Sequence, residues 1–191
     1  MEVILASQSP RRRELMQLFG IAFTVRVADI DEAMDPGKPA CEEVARVSRQ
    51  KAEAVSRGAD DIVIAADTIV VCAGKVLGKP KDQEDARQML TLLSGRDHQV
   101  MTGMTVLRGD RVVTCTEITD IHFRPLSQKE ILRYIATGEP MDKAGSYGIQ
   151  GGAALFAEKM VGDYYNVMGL PVCRLGQILG ELAPELMEEV R

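Results

Sequence analysis

Residues 98–122 read HQVMTGMTVLRGDRVVTCTEITDIH, and the reading of this stretch decides the fold class. Two runs rich in β-branched and apolar residues, about 98–107 and 112–122, flank Gly109-Asp110, which suits the tight turn of a hairpin. Two long strands joined so closely pair antiparallel. The chain before them is patterned differently. Val3-Ile4-Leu5-Ala6 and Ile62-Val63-Ile64-Ala65-Ala66 are continuous apolar runs, as expected of buried strands. Helix signals lie around them. Ser9 and Pro10 suit N-cap and N1, with Leu15, Leu18 and Phe19 expected inward and Gly20 as the stop. Val44, Val47, Ala52 and Val55 have helical spacing between Ala40 and about Arg57, before Gly58. Asp82 opens a helix bearing Ala86, Met89, Leu90 and Leu93, which Ser94-Gly95 ends. Ser127 and Glu130 form a capping box for a helix ending near Gly138, and Pro171 at N1 opens a final helix. Phe23 to Val27 alternates like a half-buried strand, and Ala73-Gly74 turns between Ile69-Val70-Val71 and Lys75-Val76-Leu77. Strand–helix units come first, the hairpin next and a helix last. That order implies an α/β (α+β) fold with a mixed sheet, because a plain doubly wound fold has no need of the hairpin.

A chain of 191 residues suffices for one domain with a sizeable core, or for two lobes around a cleft. There is no internal repeat and no linker, so the expectation is a single domain over residues 1–191. Its 46% apolar and 27% charged residues are ordinary for a globular protein. The formal net charge of −5 argues against direct nucleic-acid binding, though not against a local basic pocket for a small polyanion. Cys41, Cys72, Cys115 and Cys173 form no CxxC pair and read as buried free thiols in a reducing compartment. No basic leader and no run of membrane-spanning length is present, so the expectation is a cytoplasmic protein without a membrane partner.

Chemistry has a few candidate carriers. Ser7-Gln8-Ser9-Pro10-Arg11-Arg12-Arg13 lies between a buried strand and a helix start. Free backbone N–H groups and the helix dipole favour an anion there, and arginines in a first turn fit badly unless an anion is near. The same stretch also fits an exposed basic turn. Asp67 follows five apolar residues and is expected at the C-terminal edge of a strand, where it can bind a metal, activate water, or merely cap a turn with Thr68. Glu32 lies in an acidic loop (Asp29, Asp31, Glu32, Asp35) that fits either a solvated loop or a second carboxylate for a divalent cation. Lys51 and Lys79 can meet phosphate as point charges or stand as surface lysines. Gln150, in the Gly-rich segment 145–152, offers an amide donor and acceptor to a base edge, or belongs to a structural loop. No Walker motif and no dinucleotide-binding GxGxxG follows a strand. His98 and His122 fall in the hairpin, where a structural role is expected, and Met101, Met104 and Met168 read as core filler.

The order of these segments carries a resemblance. Leu5-Ala6-Ser7-x-Ser9-Pro10-Arg11-Arg12, Asp31-Glu32, Lys51-Ala52, Ala65-Ala66-Asp67-Thr68, Gly78-Lys79-Pro80, Ser94-Gly95-Arg96-Asp97-His98, Asp142-Lys143-Ala144-Gly145-x-Tyr147-x-Ile149-Gln150-Gly151 and Gly169-Leu170-Pro171 together resemble the Maf family. The resemblance implies a fold similar to the inosine triphosphate pyrophosphatases, two lobes around a central cleft, and a homodimer. It implies hydrolysis of a nucleoside triphosphate between the α- and β-phosphates with magnesium or manganese. Asp67 matches the family's catalytic carboxylate; Arg12, Thr68 and Gln150 match positions of substrate choice; Ser7, Glu32, Lys51 and Lys79 match the triphosphate and metal site, with Glu32 and Asp67 on the metal. The segments around Arg12 and Gln150 look like the branch acting on dTTP and UTP. The alternatives are a 7-methyl-GTP or ITP pyrophosphatase, or a non-enzymatic regulator of septum formation.

Overall fold

The computed structural model describes residues 1–55 and 57–188. Its strands are β1 (Val3–Leu5), β2 (Thr24–Val25), β3 (Ile62–Cys72), β4 (Lys75–Leu77), β5 (Asp97–Arg108), β6 (Arg111–Phe123) and β7 (Ala157–Val161). Its helices are α1 (Pro10–Gln17), α2 (Ala40–Ala54), α3 (Gln83–Leu93), α4 (Gln128–Ile135), α5 (Tyr164–Met168), α6 (Val172–Leu182) and α7 (Pro184–Glu188). The strands join in one mixed sheet of order β2-β1-β3-β5-β6-β7, with β4 on β3. β1 runs parallel to β2 and β3, whereas β3–β4 and β6–β7 are antiparallel. The expected mixed α/β architecture is therefore present, with the 98–122 hairpin as β5–β6. Among the described residues, no helix is long and apolar enough to cross a membrane.

The chain divides into two compact units. The first comprises Met1–Asp67, Thr102–Glu117 and the residues from Gly169 onward. Its buried cluster joins Ile4, Ala6, Val63, Ala65 and Leu107 of the sheet to Ala52 and Val55 of the α2 segment. The second comprises Thr68–Met101 and Ile118–Met168. Its core packs Leu90 and Leu93 of α3, Ile131, Tyr134 and Ile135 of α4, and Val70, Val100, Ile121 and Phe123 of the strands.

Local signals place most boundaries. The Ser9 side chain accepts from the Arg12 backbone N–H, Asp82 caps α3 through Asp85 N–H, and Ser127 with Glu130 completes the capping box of α4. Ala73 and Gly74 both have positive φ (49° and 73°), as a two-residue turn between β3 and β4 requires.

Several expectations need correction. Leu18 is 58% exposed, while Met16 is buried with Leu15 and Phe19. Steps of 100° put residues 15, 16 and 19 on one face and turn 18 away. Strand β2 keeps only Thr24–Val25 of the expected Phe23–Val27 run, because β1, its partner, is itself three residues long. Helix α2 stops at Ala54, since Val55 is extended; Ser56, within the expected span, lies outside the described residues. Pro171 is the N-cap of α6 rather than N1, and α7 follows it, so α6 is not the last helix. The four cysteines are free, but only Cys72 is buried: Cys41 and Cys115 are half-buried and Cys173 is exposed. Cys173 sits 200° around α6 from the buried Leu175, which turns its thiol outward. Asp67 is not at the end of a strand. Strand β3 continues five residues beyond it, to Cys72, because its second half pairs with β4. The edge that ends near Asp67 belongs to β1, whose pairing with β3 stops around Ile64.

Candidate active site

Strand β1 delivers Ser7 and α1 to one place in the first unit. Ser7 is 8% exposed, and its Oγ accepts from Ser9 N–H and from Arg12 Nη1, both at 3.2 Å. Arg12 lies on the same face of α1 as Leu15, Met16 and Phe19, so the helix turns it inward while Arg13 remains exposed. Its Nε donates to the Gly169 carbonyl at 2.7 Å. Partial desolvation pulls the Arg12 guanidinium below its ordinary pKa against the raising field of Asp67; Arg11 adds to the lowering and Glu32 opposes it. A cation at the N-terminus of α1, where the dipole disfavours it, therefore has two carboxylates close enough to feel.

Those carboxylates meet at Lys51. Its Nζ lies 2.7 Å from Asp67 Oδ1 and 3.0 Å from Glu32 Oε1. Lys51 is 8% exposed and Asp67 9%, so Lys51 is not a surface lysine. Helix α2 puts it on the side facing β3, one residue before the buried Ala52. Glu32 is more open, its side chain 57% exposed, on the irregular loop between β2 and α2. Ser7, Arg12, Glu32, Lys51 and Asp67 are thus brought together within this unit, across gaps of up to 157 residues when the Gly169 carbonyl is included.

The donor set fits a divalent cation. Glu32 and Asp67 present hard oxygens to one shared cationic group, and magnesium commonly takes only one or two protein carboxylates and completes its shell with phosphate and water. Among the described residues no group of three or more His, Cys, Asp or Glu side chains gathers for a metal, so the fit is to this pair and not to a soft-metal cage.

Thr68, Lys79 and Gln150 belong to the second unit. Thr68 follows Asp67 directly in β3 and is half-buried. Lys79 and Gln150 are exposed on loops. Gly145 N–H donates to Gly78 O at 3.0 Å, which ties the start of the Gly-rich segment to the Lys79 loop. A Cβ at Gly145 would stand 2.7 Å from Val70 Cγ2, so glycine permits this approach. Around Gln150 the frame is tight. Gly148 N–H donates to Tyr134 Oη at 3.1 Å, Tyr134 O–H donates to Glu139 Oε1 at 2.8 Å, and Gly152 N–H donates to Glu139 Oε2 at 3.1 Å. A Cβ on Gly151 would collide with the Glu139 carboxylate where it stands, so a side chain there would displace that acid from Tyr134 and Gly152. Tyr147 packs edge-on to Phe123, and its hydroxyl lies 2.8 Å from His98 Nε2. His98 thus has a structural role, and burial lowers its pKa to about 4.

Tyr134, Glu139 and the Gly169 carbonyl escaped the reading of the chain. Glu139 offered no signal beyond its place beside Gly138, and a backbone carbonyl carries none.

The family model for "Maf-like protein" matches residues 2–182, and so runs through both units. The chain is 53% identical over 180 residues to a dTTP/UTP pyrophosphatase of Symbiobacterium thermophilum, covering 93% of this chain and 92% of that protein. It is 49% identical over 181 residues to the dTTP/UTP pyrophosphatase of Alkaliphilus metalliredigens, covering 93% and 94%. The Bacillus pumilus protein of the same name is 49% identical over 179 residues, covering 93% and 95%. Among solved structures, a HAM1 protein from Coxiella burnetii shares the fold with a TM-score of 0.53 at 16% identity, over 95% of this chain and 99% of that one. The sequence match over nearly all of its length, together with the mixed α/β fold that carries it, places this chain in the family of Maf-like proteins.

Proposed function

We propose that this chain is a nucleoside triphosphate pyrophosphatase that hydrolyses dTTP and UTP to the monophosphate and pyrophosphate. The observation that carries the reading is the Glu32–Lys51–Asp67 cluster in the same unit as Ser7, Arg12 and the N-terminus of α1. It sets carboxylates beside phosphate-binding groups, and relatives about half identical in sequence are named for this reaction.

Asp67 orients a water and takes its proton as that water attacks the α-phosphorus. The bond from the α-phosphorus to the bridging oxygen breaks, and pyrophosphate leaves with that oxygen. Arg12 and the positive end of the α1 dipole hold phosphate oxygens, and Arg suits them because its fork donates two parallel hydrogen bonds. Lys51 and Lys79 offset the charge that builds on the leaving pyrophosphate. Magnesium or manganese, held by Glu32 and Asp67, supplies Lewis-acid polarisation when bound. Gln150 donates its amide N–H to O4 of the pyrimidine and accepts from N3–H, the edge that thymine and uracil share and cytosine inverts. With Arg12 and Thr68 it sets substrate choice. The family resemblance extends the proposal to a homodimer, the proposed compartment is the cytoplasm, and the net charge of −5 supports a small-molecule substrate over nucleic acid.

Pyrophosphate release from dTTP, UTP, CTP, ITP and 7-methyl-GTP, with magnesium or manganese, tests the reading. The expected result is preference for dTTP and UTP, and a loss of about a thousandfold in Asp67→Asn with its melting curve retained. Preference for a modified purine would overturn the role of Gln150, and an active Asp67→Asn would remove Asp67 as the base. In Gln150→Ala the preference for dTTP over CTP falls by about tenfold or more.

A further inference from the structure

Glu32 poses a problem of order. Its side chain is 57% exposed on a loop with no regular structure, yet its carboxylate stands 3.0 Å from Lys51 Nζ. A half-open ion pair contributes too little to hold a loop of this kind by itself. The restraint comes from the other end of α2. Glu43 is 2% exposed, and its Oε2 accepts the Asp35 backbone N–H at 2.8 Å. Arg46, one turn on, donates from Nη2 to the Ala33 carbonyl at 2.8 Å. The two are locked to each other: Arg46 Nε lies 3.0 and 3.2 Å from the Glu43 oxygens and Nη2 lies 2.8 Å from Oε2. Arg46 Nη1 donates to Gln50 Oε1 at 2.7 Å. Every nitrogen of the guanidinium is engaged, which fixes its plane. The loop is gripped one and three residues after Glu32, and local turns at Asp31 and Asp35 shorten the slack between those points. One helix thus holds this loop twice, by its backbone through Glu43 and Arg46 and by the Glu32 carboxylate through Lys51.

We propose that Glu43 and Arg46 are a positioning pair that holds the β2–α2 loop so that Glu32 stands with Asp67 as a ready-made carboxylate pair for the divalent cation. The proposal rests on the reading of Glu32 and Asp67 as the metal-binding carboxylates. Neither Glu43 nor Arg46 touches substrate or metal; each acts through Glu32.

The test is calorimetric titration of manganese alone into the nucleotide-free protein, for the parent, Glu43→Gln, Arg46→Lys, Glu32→Gln and the double variant Glu32→Gln/Glu43→Gln, with amide exchange of residues 31–37 followed alongside. Glu43→Gln keeps side-chain size and removes the charge, and Arg46→Lys keeps the charge and removes the planar fork, so each is expected to weaken manganese binding about tenfold and to speed exchange in the loop. Turnover at saturating metal recovers to near the parental value. In the double variant the Glu43 change adds nothing to the Glu32 change, because the pair acts only by placing that carboxylate. Parental manganese affinity in both Glu43→Gln and Arg46→Lys overturns the proposal while leaving Glu32 as a ligand. Effects that add in the double variant also overturn it, since they assign Glu43 a role independent of Glu32. Parental affinity in Glu32→Gln overturns the reading of Glu32 itself, and the proposal with it.

Discussion

At the scale of the residue, Lys51 is the most informative group. It lies within 3.0 Å of two carboxylates while almost fully buried. Replacing it by methionine keeps the stem and removes the cation that Asp67 and Glu32 both contact, leaving them the weaker field of Arg12. Lys51→Met is expected to lose about 1–3 kcal/mol of stability, less than a fully buried pair because Glu32 is open to solvent. Manganese restores part of that loss, so its melting temperature depends on the ion more steeply than the parent's. Equal ion dependence in the two proteins would show that the carboxylates do not share a metal. A second residue carries backbone strain. Ala73 holds φ at 49°, in the left-handed region that its Cβ disfavours. Asn tolerates that region, so Ala73→Asn is expected to raise stability by about 0.5–1 kcal/mol in urea unfolding, with the turn between β3 and β4 unchanged.

At the scale of the element, β5 passes so close to α2 that Gly103 has no room for a side chain. A Cβ there would overlap the Val44 carbonyl, which is helix backbone and cannot rotate away. Gly103→Ala is expected to cost about 3 kcal/mol, and shows as a lowered denaturant midpoint. The same change displaces α2, the helix that carries Lys51, so turnover falls with stability. Helix α4 offers a milder case. Ser127 and Glu130 cap it reciprocally, and Arg124 adds an ion pair to Glu130 at 2.7 Å. Ser127→Ala is expected to cost about 1 kcal/mol in the same assay, since one N-terminal N–H loses its acceptor.

At the scale of the whole molecule, acid stability reports on the core of the second unit. His98 is 3% exposed, and burial lowers its pKa from 6.5 to about 4. The unfolded chain therefore binds a proton that the folded chain refuses between those values. Stability is full above pH 6.5 and falls as the pH drops toward 4, by about 3 kcal/mol from this group. Glu43 and Glu130, held down to about 2 by Arg46 and Arg124, contribute stability that is lost between their ordinary 4.5 and about 2, a lower window that overlaps the first near pH 4 and is common to the parent and a His98 variant. Urea unfolding at pH 7.5 and pH 4 should show the parent losing about 3 kcal/mol more than His98→Gln across that interval. Equal losses would mean that His98 takes up its proton in the folded state.

What the amino-acid sequence determined by itself is what a turn or two of chain can encode. The caps at Ser9, Asp82 and Ser127, the β3–β4 turn and the β5–β6 hairpin are all local, and each stands where its residues place it. The hairpin was enough to require a mixed sheet. Asp67 was legible as a polar residue ending an apolar run, but not as the middle of a strand, because β3 continues only by virtue of pairing with β4. Lys51 read as easily as a surface lysine, because periodicity along α2 cannot say that a carboxylate sixteen residues later will cover it. Along the chain Glu43 and Arg46 are two charged residues three positions apart, and only the returning loop turns them into a clasp. Arg12 waits on a carbonyl 157 residues away. These partners are chosen by the packing of β1, α1, α2 and β3, and a side chain's charge has no fixed meaning until that packing removes water and supplies its neighbour.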